Sequence, residues 1–454
     1  MNYSSLREKY PEFLFKSYSI EESETEIKVS YNFETVSLCQ FNPFWIFKKP
    51  AGKSFEGNKI LEKLIFSLGM VELVSYWKAT CSPTVKILCG SVSEGEAKWF
   101  KKLYFKGLGE FFYINKIDAD ASDFMDIVSM GEAIIPKGEK VSGNKNLISI
   151  GGGKDSVVSL ETLSSLKEDN FCYIINPDEA TKATAKMGGY KDDKIIAVKR
   201  GLDRKIVDLN SQGFLNGHTP FSAIVAFSSV ISAYLWGIKN VVLSNENSAN
   251  ESTVKGTDVN HQYSKSFEFE CDFRSFEEKF ISSGVNYFSL LRPLSEFQIA
   301  KFFSEKCENY HSVFRSCNLG GKTDSWCCNC PKCLFITIIL APFLSHDEIK
   351  EIFGENLLTK EKMLSDYDKL LGLSPEKPFE CVGMRSEVIL ASYLTLKKYQ
   401  EERKALPVLI SHFSEIMDED YDIKGEYKKT ISQFNENNNL SPDFEKILRE
   451  KFSL

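Results

Sequence analysis

The sequence predicts an α/β protein: a helix-covered parallel sheet, preceded by an α+β domain and followed by a mainly helical region. Three observations carry that expectation. Short apolar runs at LISI (147–150), FCYII (171–175), KIIAV (194–198) and NVVLS (240–244) have the length of buried strands. The segments between them are long enough for crossover helices. The first run leads straight into three glycines and then into a helical apolar pattern.

The elements follow in order. The opening MNYSSLREKYPEF carries Arg7, Glu8 and Lys9 with no apolar stretch behind them, so no secretory signal and a cytoplasmic location are expected. Further on, TEIKVSYNF alternates with the period of a strand, and NKILEKLIFSLGMVELVSYW has the spacing of a helix. The polar run Lys137 to Asn146 reads as a linker. Phe221 to Ile238 carries no charge but is diluted by Ser222, Ser228, Ser229 and Ser232, which predicts a buried helix with Thr219 as N-cap and Pro220 at its first position. Beyond residue 345, EIKEIF, EVILASYLTLKKYQEE and ALPVLISHFSEIM are helical in pattern. The expected domains are therefore 1–142, 143–344 and 345–454, and a chain of 454 residues has room for three. With 56 Lys and Arg against 63 Asp and Glu, the net charge of −7 offers no basic field for a nucleic acid, and neither nucleic acid nor membrane is an expected partner. The oligomeric state is not readable from the sequence.

In NLISIGGGKDSVVSL, glycines 151, 152 and 153 free the backbone to turn and present N–H groups at a helix start, where the helix dipole favours an anion. A plain glycine turn capped by Asp155 is the competing reading. The spacing is neither that of a Walker A loop nor that of a dinucleotide fingerprint. Farther along, RSCNLGGKTDSWCCNCPKC sets Cys317 ahead of Cys327, Cys330 and Cys333, and two-residue gaps let thiolates converge on one tetrahedral zinc. An iron–sulfur cluster uses the same number of thiolates and stays open. Cys328 is an extra thiol of ambiguous role.

The residues Gly151, Gly152, Gly153, Lys154, Asp155 and Ser156 resemble the PP-loop of the N-type ATP pyrophosphatases, with Gly151 in place of the usual serine. That resemblance implies the adenine nucleotide alpha hydrolase-like (HUP) fold, with ATP split between its α and β phosphates. The loop, Pro293 and Leu294, and then the cysteine cluster resemble the cyano-deazaguanine synthases of the QueC family in order. The longer strings SIGGGKDSVVSLE, SNENSANE, VNHQYSKSFEFE, YFSLLRPLSE, FRSCN, WCCNCPKCLF and PFECVG resemble the MurL family, over about residues 147–385. This implies an ATP-dependent epimerase that inverts the terminal L-glutamate of a UDP-muramoyl-dipeptide, with release of AMP and diphosphate. The runner-up is a QueC-like or tRNA-modifying PP-loop enzyme, and a third reading is a zinc-stabilised nucleotide-binding protein without turnover.

On that resemblance, Lys154 would neutralise phosphate charge and Asp155 would hold Mg²⁺. Glu246 and Glu251 follow a strand and would lie at its carboxyl end, where open α/β sheets bind ligands. His261, Tyr263 and Lys265 alternate, so they would share one face if extended. Glu246, Glu251, His261, Lys265 and Cys381 are the candidates for moving the α-proton, Cys381 because a partly desolvated thiolate suits that task. His218 is a candidate loop residue near the nucleotide. Arg292 and Arg315 are candidate forks for the substrate's carboxylates or diphosphate.

Overall fold

The computed structural model describes residues 2–250, 263–317 and 319–454. Eleven strands are assigned among them: β1 (Glu12–Glu22), β2 (Glu26–Thr35), β3 (Cys39–Phe41), β4 (Phe44–Lys48), β5 (Thr84–Ile87), β6 (Asp126–Ser129), β7 (Asn146–Ser149), β8 (Asn170–Ile175), β9 (Ile195–Gly201), β10 (Asn240–Leu243) and β11 (Asn286–Ser289). The chain forms two compact units, one of Met1–Leu147, Ile196–Val241 and Val259–Tyr287, the other of Ile148–Ile195, Val242–Asp258 and Phe288–Leu454. Both units are discontinuous in sequence, whereas the segments expected from composition are contiguous.

In the first unit the strand order is β9-β4-β2-β1-β5-β6, with β3 beside β2. The sheet is mixed: β1–β2, β2–β4 and β4–β9 run antiparallel, β1–β5 and β5–β6 parallel. Alternation in β2 buries Ile27, Val29, Tyr31 and Phe33 on one face. Against that face lies the helix Lys59–Trp77, capped by Asn58, and Tyr31 donates from its hydroxyl to Ile65 O at 2.8 Å. The run KIIAV, expected in a parallel sheet, becomes β9 and pairs antiparallel with β4. Its burial alternates, with Ile196 and Val198 covered, as one-sided strands do. The reason is polar as well as apolar: Arg200 on β9 grips the fully buried Glu72, with Nη2 at 2.6 Å from Oε1 and Nε at 3.0 Å from Oε2. Trp45 Nε1, on β4, donates to the same carboxylate at 3.2 Å.

The uncharged stretch is the helix Phe221–Trp236, packed on Lys59–Trp77, and no helix among the described residues is long and apolar enough to cross a membrane. Pro220 stands one position earlier than expected, as the cap residue; Thr219 instead accepts from Lys78 Nζ at 2.9 Å. The polar run expected as a linker lies in this unit, where Val141 N donates to Ser283 O at 2.8 Å.

In the second unit the order is β11-β10-β7-β8. β10 and β11 are parallel, since Asn286 N bonds Lys239 O and Leu290 N bonds Leu243 O, both chains advancing together. One apolar core runs from Ile148 to Leu448 and takes in the helices Pro331–Leu340, Arg385–Glu401 and Val408–Ile416. The C-terminal helices are thus part of the unit that carries the glycine loop.

The fully buried Glu72 carboxylate accepts from two side chains. Replacing it by alanine leaves the Arg200 guanidinium buried without its counter-charge, so Glu72→Ala should cost about 3–5 kcal/mol, read as a lowered midpoint in urea unfolding.

Candidate active site and four-cysteine centre

The site is built in the second unit. β7 feeds the glycine loop, and the loop feeds the helix Lys154–Thr162. Gly152 has φ +76°, a left-handed conformation that favours glycine. Gly153 is the cap residue and, lacking a side chain, makes no capping bond of its own, which leaves a donor-rich turn for an anion. A Cβ on Gly153 would lie 2.9 Å from Ser316 Oγ, so this glycine permits a close approach. Arg315 N donates to Gly152 O at 2.7 Å and Lys154 N to Ser316 Oγ at 3.4 Å. These bonds clip the loop to the segment that carries Cys317.

Lys154 is wholly buried, and its ammonium bonds Asp155 Oδ1 and Glu296 Oε2. Asp155 remains 28% exposed, whereas the Glu296 side chain is at 2%. Glu246 adds a third carboxylate: oxygens of Asp155, Glu246 and Glu296 lie within 4.8 Å of one another, hard donors of the kind Mg²⁺ takes. Burial pushes Glu296 up to about 8 despite the Lys154 ammonium, with Asp155 and Glu246 adding to the rise. Burial works against the charge on Lys154 too, but the two bonded carboxylates outweigh it and hold the amine protonated.

Arg292, expected to face substrate, is fully buried. Its Nη1 donates to Glu246 O at 2.8 Å and its Nη2 lies 3.5 Å from Ser289 Oγ, so it braces Glu246 from within. The apolar turn around it, with Leu290, Leu291 and Leu294 all at 0% exposure, draws it into the core. Arg315 folds back on its own chain, Nη1 donating to Ser312 O at 3.0 Å and Phe314 O at 2.8 Å.

The four cysteines converge. Sγ separations are 3.7 Å for Cys317–Cys330, 3.6 Å for Cys327–Cys333 and 3.5 Å for Cys330–Cys333, and all four sulfurs lie within 4.8 Å of one another. Thiolates 2.3 Å from one tetrahedral zinc stand about 3.8 Å apart, so the donor set fits a mononuclear tetrathiolate site. A cluster with one thiolate per iron would hold the sulfurs farther apart. Cys330 caps the helix Pro331–Leu340 and accepts from Cys333 N at 3.4 Å, while Gly320 N reaches Cys317 Sγ at 3.3 Å. Cys328 turns away: it has φ +50° and its thiol points to Phe353 O at 3.2 Å.

Cys381, half-buried, lies in a loop held by three buried charged side chains. Lys332 donates to Cys381 O, and Lys377 donates to Gly383 O at 2.8 Å. Glu387 accepts from Met384 N at 2.8 Å and Phe297 N at 3.3 Å, which ties the loop to the helix that carries Glu296. Glu296, Glu387, Lys332 and Lys377 are not singled out by the sequence. The one local signal is the box Ser295–Gln298, which places Glu296 in a first helical turn.

Glu251 and His261 lie outside the described residues. Lys265 and Tyr263 belong to the first unit, in a 3₁₀ turn rather than an extended segment, and the Tyr263 hydroxyl is 3.3 Å from Asp272 Oδ2. His218 also belongs to the first unit, with Nδ1 3.5 Å from Glu110 Oε2.

Comparison with known proteins gives a consistent result. The family model described as the MurL N-terminal domain matches residues 4–290, and that of the MurL C-terminal domain matches residues 310–425. Three curated relatives carry the name UDP-N-acetyl-alpha-D-muramoyl-L-alanyl-L-glutamate epimerase. That from Salinispora tropica is 35% identical over 405 residues, covering 87% of each chain. That from Xanthomonas oryzae pv. oryzae is 37% identical over 70% of each, and that from a Micromonospora species is 34% identical over 77% of this chain and 78% of its own. No solved structure matches.

Burial pushes Glu387 up to about 7, with Glu246 adding to the rise and the two backbone N–H donors opposing it. Its proton is held more tightly in the folded protein than in the unfolded chain. The stabilisation is therefore complete below the ordinary carboxylate range and lost as pH rises through about 7. Glu387→Gln keeps an acceptor oxygen and has no charge to bury. Between about pH 5 and pH 9 the unfolding free energy of the variant should gain on the wild type by roughly 3 kcal/mol, measured by chemical denaturation across that range.

Proposed function

The chain belongs to the MurL family, and from that premise we propose that it inverts the terminal L-glutamate of UDP-N-acetylmuramoyl-L-alanyl-L-glutamate, driven by ATP. The observation that carries this reading is the placement of the glycine turn beside Asp155, Glu246 and Glu296 in a single unit. On it we also assign the loop to the PP-loop (HUP) class.

The α-proton beside an ionised carboxylate is very weakly acidic, because its removal would place a second negative charge on the same group. In the proposed reaction a carboxylate oxygen attacks the α-phosphorus of ATP, the bond to the β-phosphate oxygen breaks, and diphosphate leaves. The resulting acyl-adenylate carries no carboxylate charge, and its carbonyl accepts the electron pair released when a base takes the α-proton. A proton is then delivered to the opposite face, and water cleaves the mixed anhydride to AMP and the D-epimer.

Residue roles follow from position. The N–H groups after Gly152 and Gly153 receive phosphate oxygens. Asp155, the most exposed of the three carboxylates, would hold Mg²⁺ against the phosphates, and Mg²⁺ would supply charge neutralisation there. Lys154 is buried and acts by fixing Asp155 and Glu296. Within this unit Glu246 and Cys381 are the candidates for proton transfer. Cys317, Cys327, Cys330 and Cys333 would hold a structural zinc, which supplies folding energy to the segment that clips the loop.

Asp155→Asn should abolish AMP formation with the fold retained; wild-type turnover in that variant overturns the nucleotide assignment. Cys330→Ser should release about one equivalent of zinc and lower thermal stability, as read by metal analysis and a melting curve. In D₂O, deuterium should enter the glutamate α-carbon only with ATP and Mg²⁺ both present, and an α,β-methylene analogue should not replace ATP. Among single replacements of Glu246, Glu251, His261, Lys265 and Cys381, the one that removes the base still forms AMP from the L-epimer and no longer exchanges its α-proton.

A further inference from the structure

Lys332 lies between two ligand positions of the cysteine cluster, one residue before Cys333 and two after Cys330. It is 8% exposed and occupies the first turn of the helix that Cys330 caps. A lysine in a first helical turn is electrostatically misplaced, since that end of the dipole repels cations. Solvent does not compensate it either. What does is specific: its ammonium donates to the carbonyl of Cys381, 49 residues away, and lies 5.4 Å from the centre of the Phe335 ring. Its charge also bears on Glu296, drawing that carboxyl down against burial.

The Cys381 loop has two further braces. Lys377 holds Gly383 O, and Glu387 holds Met384 N and Phe297 N. Those braces act at the far end of the loop. Lys332 ties the carbonyl of Cys381 itself, and it does so from the cysteine turn.

We propose that Lys332 is a positioning residue that fixes Cys381 to the four-cysteine turn and so sets its thiol relative to the carboxylate cluster. The kinetic part of the test rests on the proton-transfer reading given above; the structural part does not. The ammonium–carbonyl bond restrains the backbone at 381, so the thiol keeps one placement while the cysteine turn stays folded. The cluster then acts on the reaction through geometry, without touching substrate.

The test compares Lys332→Met and Lys332→Arg with the wild type by hydrogen–deuterium exchange of the full chain. In the Met variant the peptide spanning residues 376–384 should exchange about tenfold faster while metal content is unchanged, and Arg, which keeps the donor and charge, should restore protection. With ATP, Mg²⁺ and the muramoyl-dipeptide, α-deuterium incorporation in the Met variant should fall about tenfold further than AMP formation does. Should the Met variant fail to fold, Lys332→Gln takes its place: it loses the charge and some of the reach, and should show the same faster exchange at 376–384 relative to Lys332→Arg. Wild-type protection at 376–384 in a folded variant overturns the proposal, as does equal acceleration throughout the helix Arg385–Glu401. If no epimerisation occurs with any variant but the exchange difference remains, the positioning role stands and the epimerase reading fails.

Discussion

One buried ammonium makes the site possible. Asp155, Glu246 and Glu296 place carboxylate oxygens within 4.8 Å of one another, and Lys154 is the cation bonded among them. Two like charges about 4 Å apart repel by roughly 4 kcal/mol at an effective dielectric constant of 20. Three ionised carboxylates and one ammonium therefore leave a surplus of negative charge in a region that water scarcely reaches. Burial first, and then the neighbouring acids, push the Glu296 carboxyl up to about 8 against the pull of Lys154. A cluster poised in this way has a standing preference for additional positive charge, and in the proposed reaction Mg²⁺ arriving with ATP would meet it at Asp155, the member left open to solvent.

The second constraint is mechanical. The glycine loop and the first cysteine ligand are held by neighbouring residues: Arg315 N bonds Gly152 O, Ser316 Oγ receives Lys154 N, and Cys317 follows at once. At the other end of the cluster, Lys332 reaches the Cys381 carbonyl. The cysteine turn thus touches the loop through one end and the Cys381 backbone through the other. Loss of its geometry would displace both. In the proposed reading, bound zinc would contribute folding energy to that alignment.

How much of this could be read from the sequence depends on whether a feature is local. The glycine loop was visible because strand, turn and helix are contiguous, and the cysteine centre because two-residue spacing fixes sulfur convergence without reference to the rest of the chain. Arg292 was misread because nothing local distinguishes a buried guanidinium from one facing a ligand; only the packing of Leu290, Leu291 and Leu294 decides it. Glu296 was missed because an acid in a capped first turn is ordinary helix chemistry, and Lys332 and Lys377 resemble solvated charges until their carbonyl partners are known. The run KIIAV carried the correct element, but its antiparallel pairing with β4 was not legible. Its partner β4 lies about 150 residues upstream in sequence, and the Arg200–Glu72 pair that fixes the choice cannot be inferred from either strand alone.

Burial has one more consequence for the proposed reaction. Equilibration of two epimers at one carbon does not by itself need ATP; what ATP supplies is acidity at that carbon, through an anhydride that water destroys. Water that reaches the anhydride before the proton has moved returns the L-epimer with the ATP consumed. The order of events must therefore be imposed by exclusion of solvent, with hydrolysis held back until protonation on the new face. A site whose carboxyl groups at 246 and 296 are buried, whose cation is bonded within the cluster and whose Arg292 is fully buried already meets part of that requirement before any ligand arrives. Asp155 is the member of the cluster that solvent reaches most, so in the proposed reaction a nucleotide bound against it would also shield that carboxylate from water.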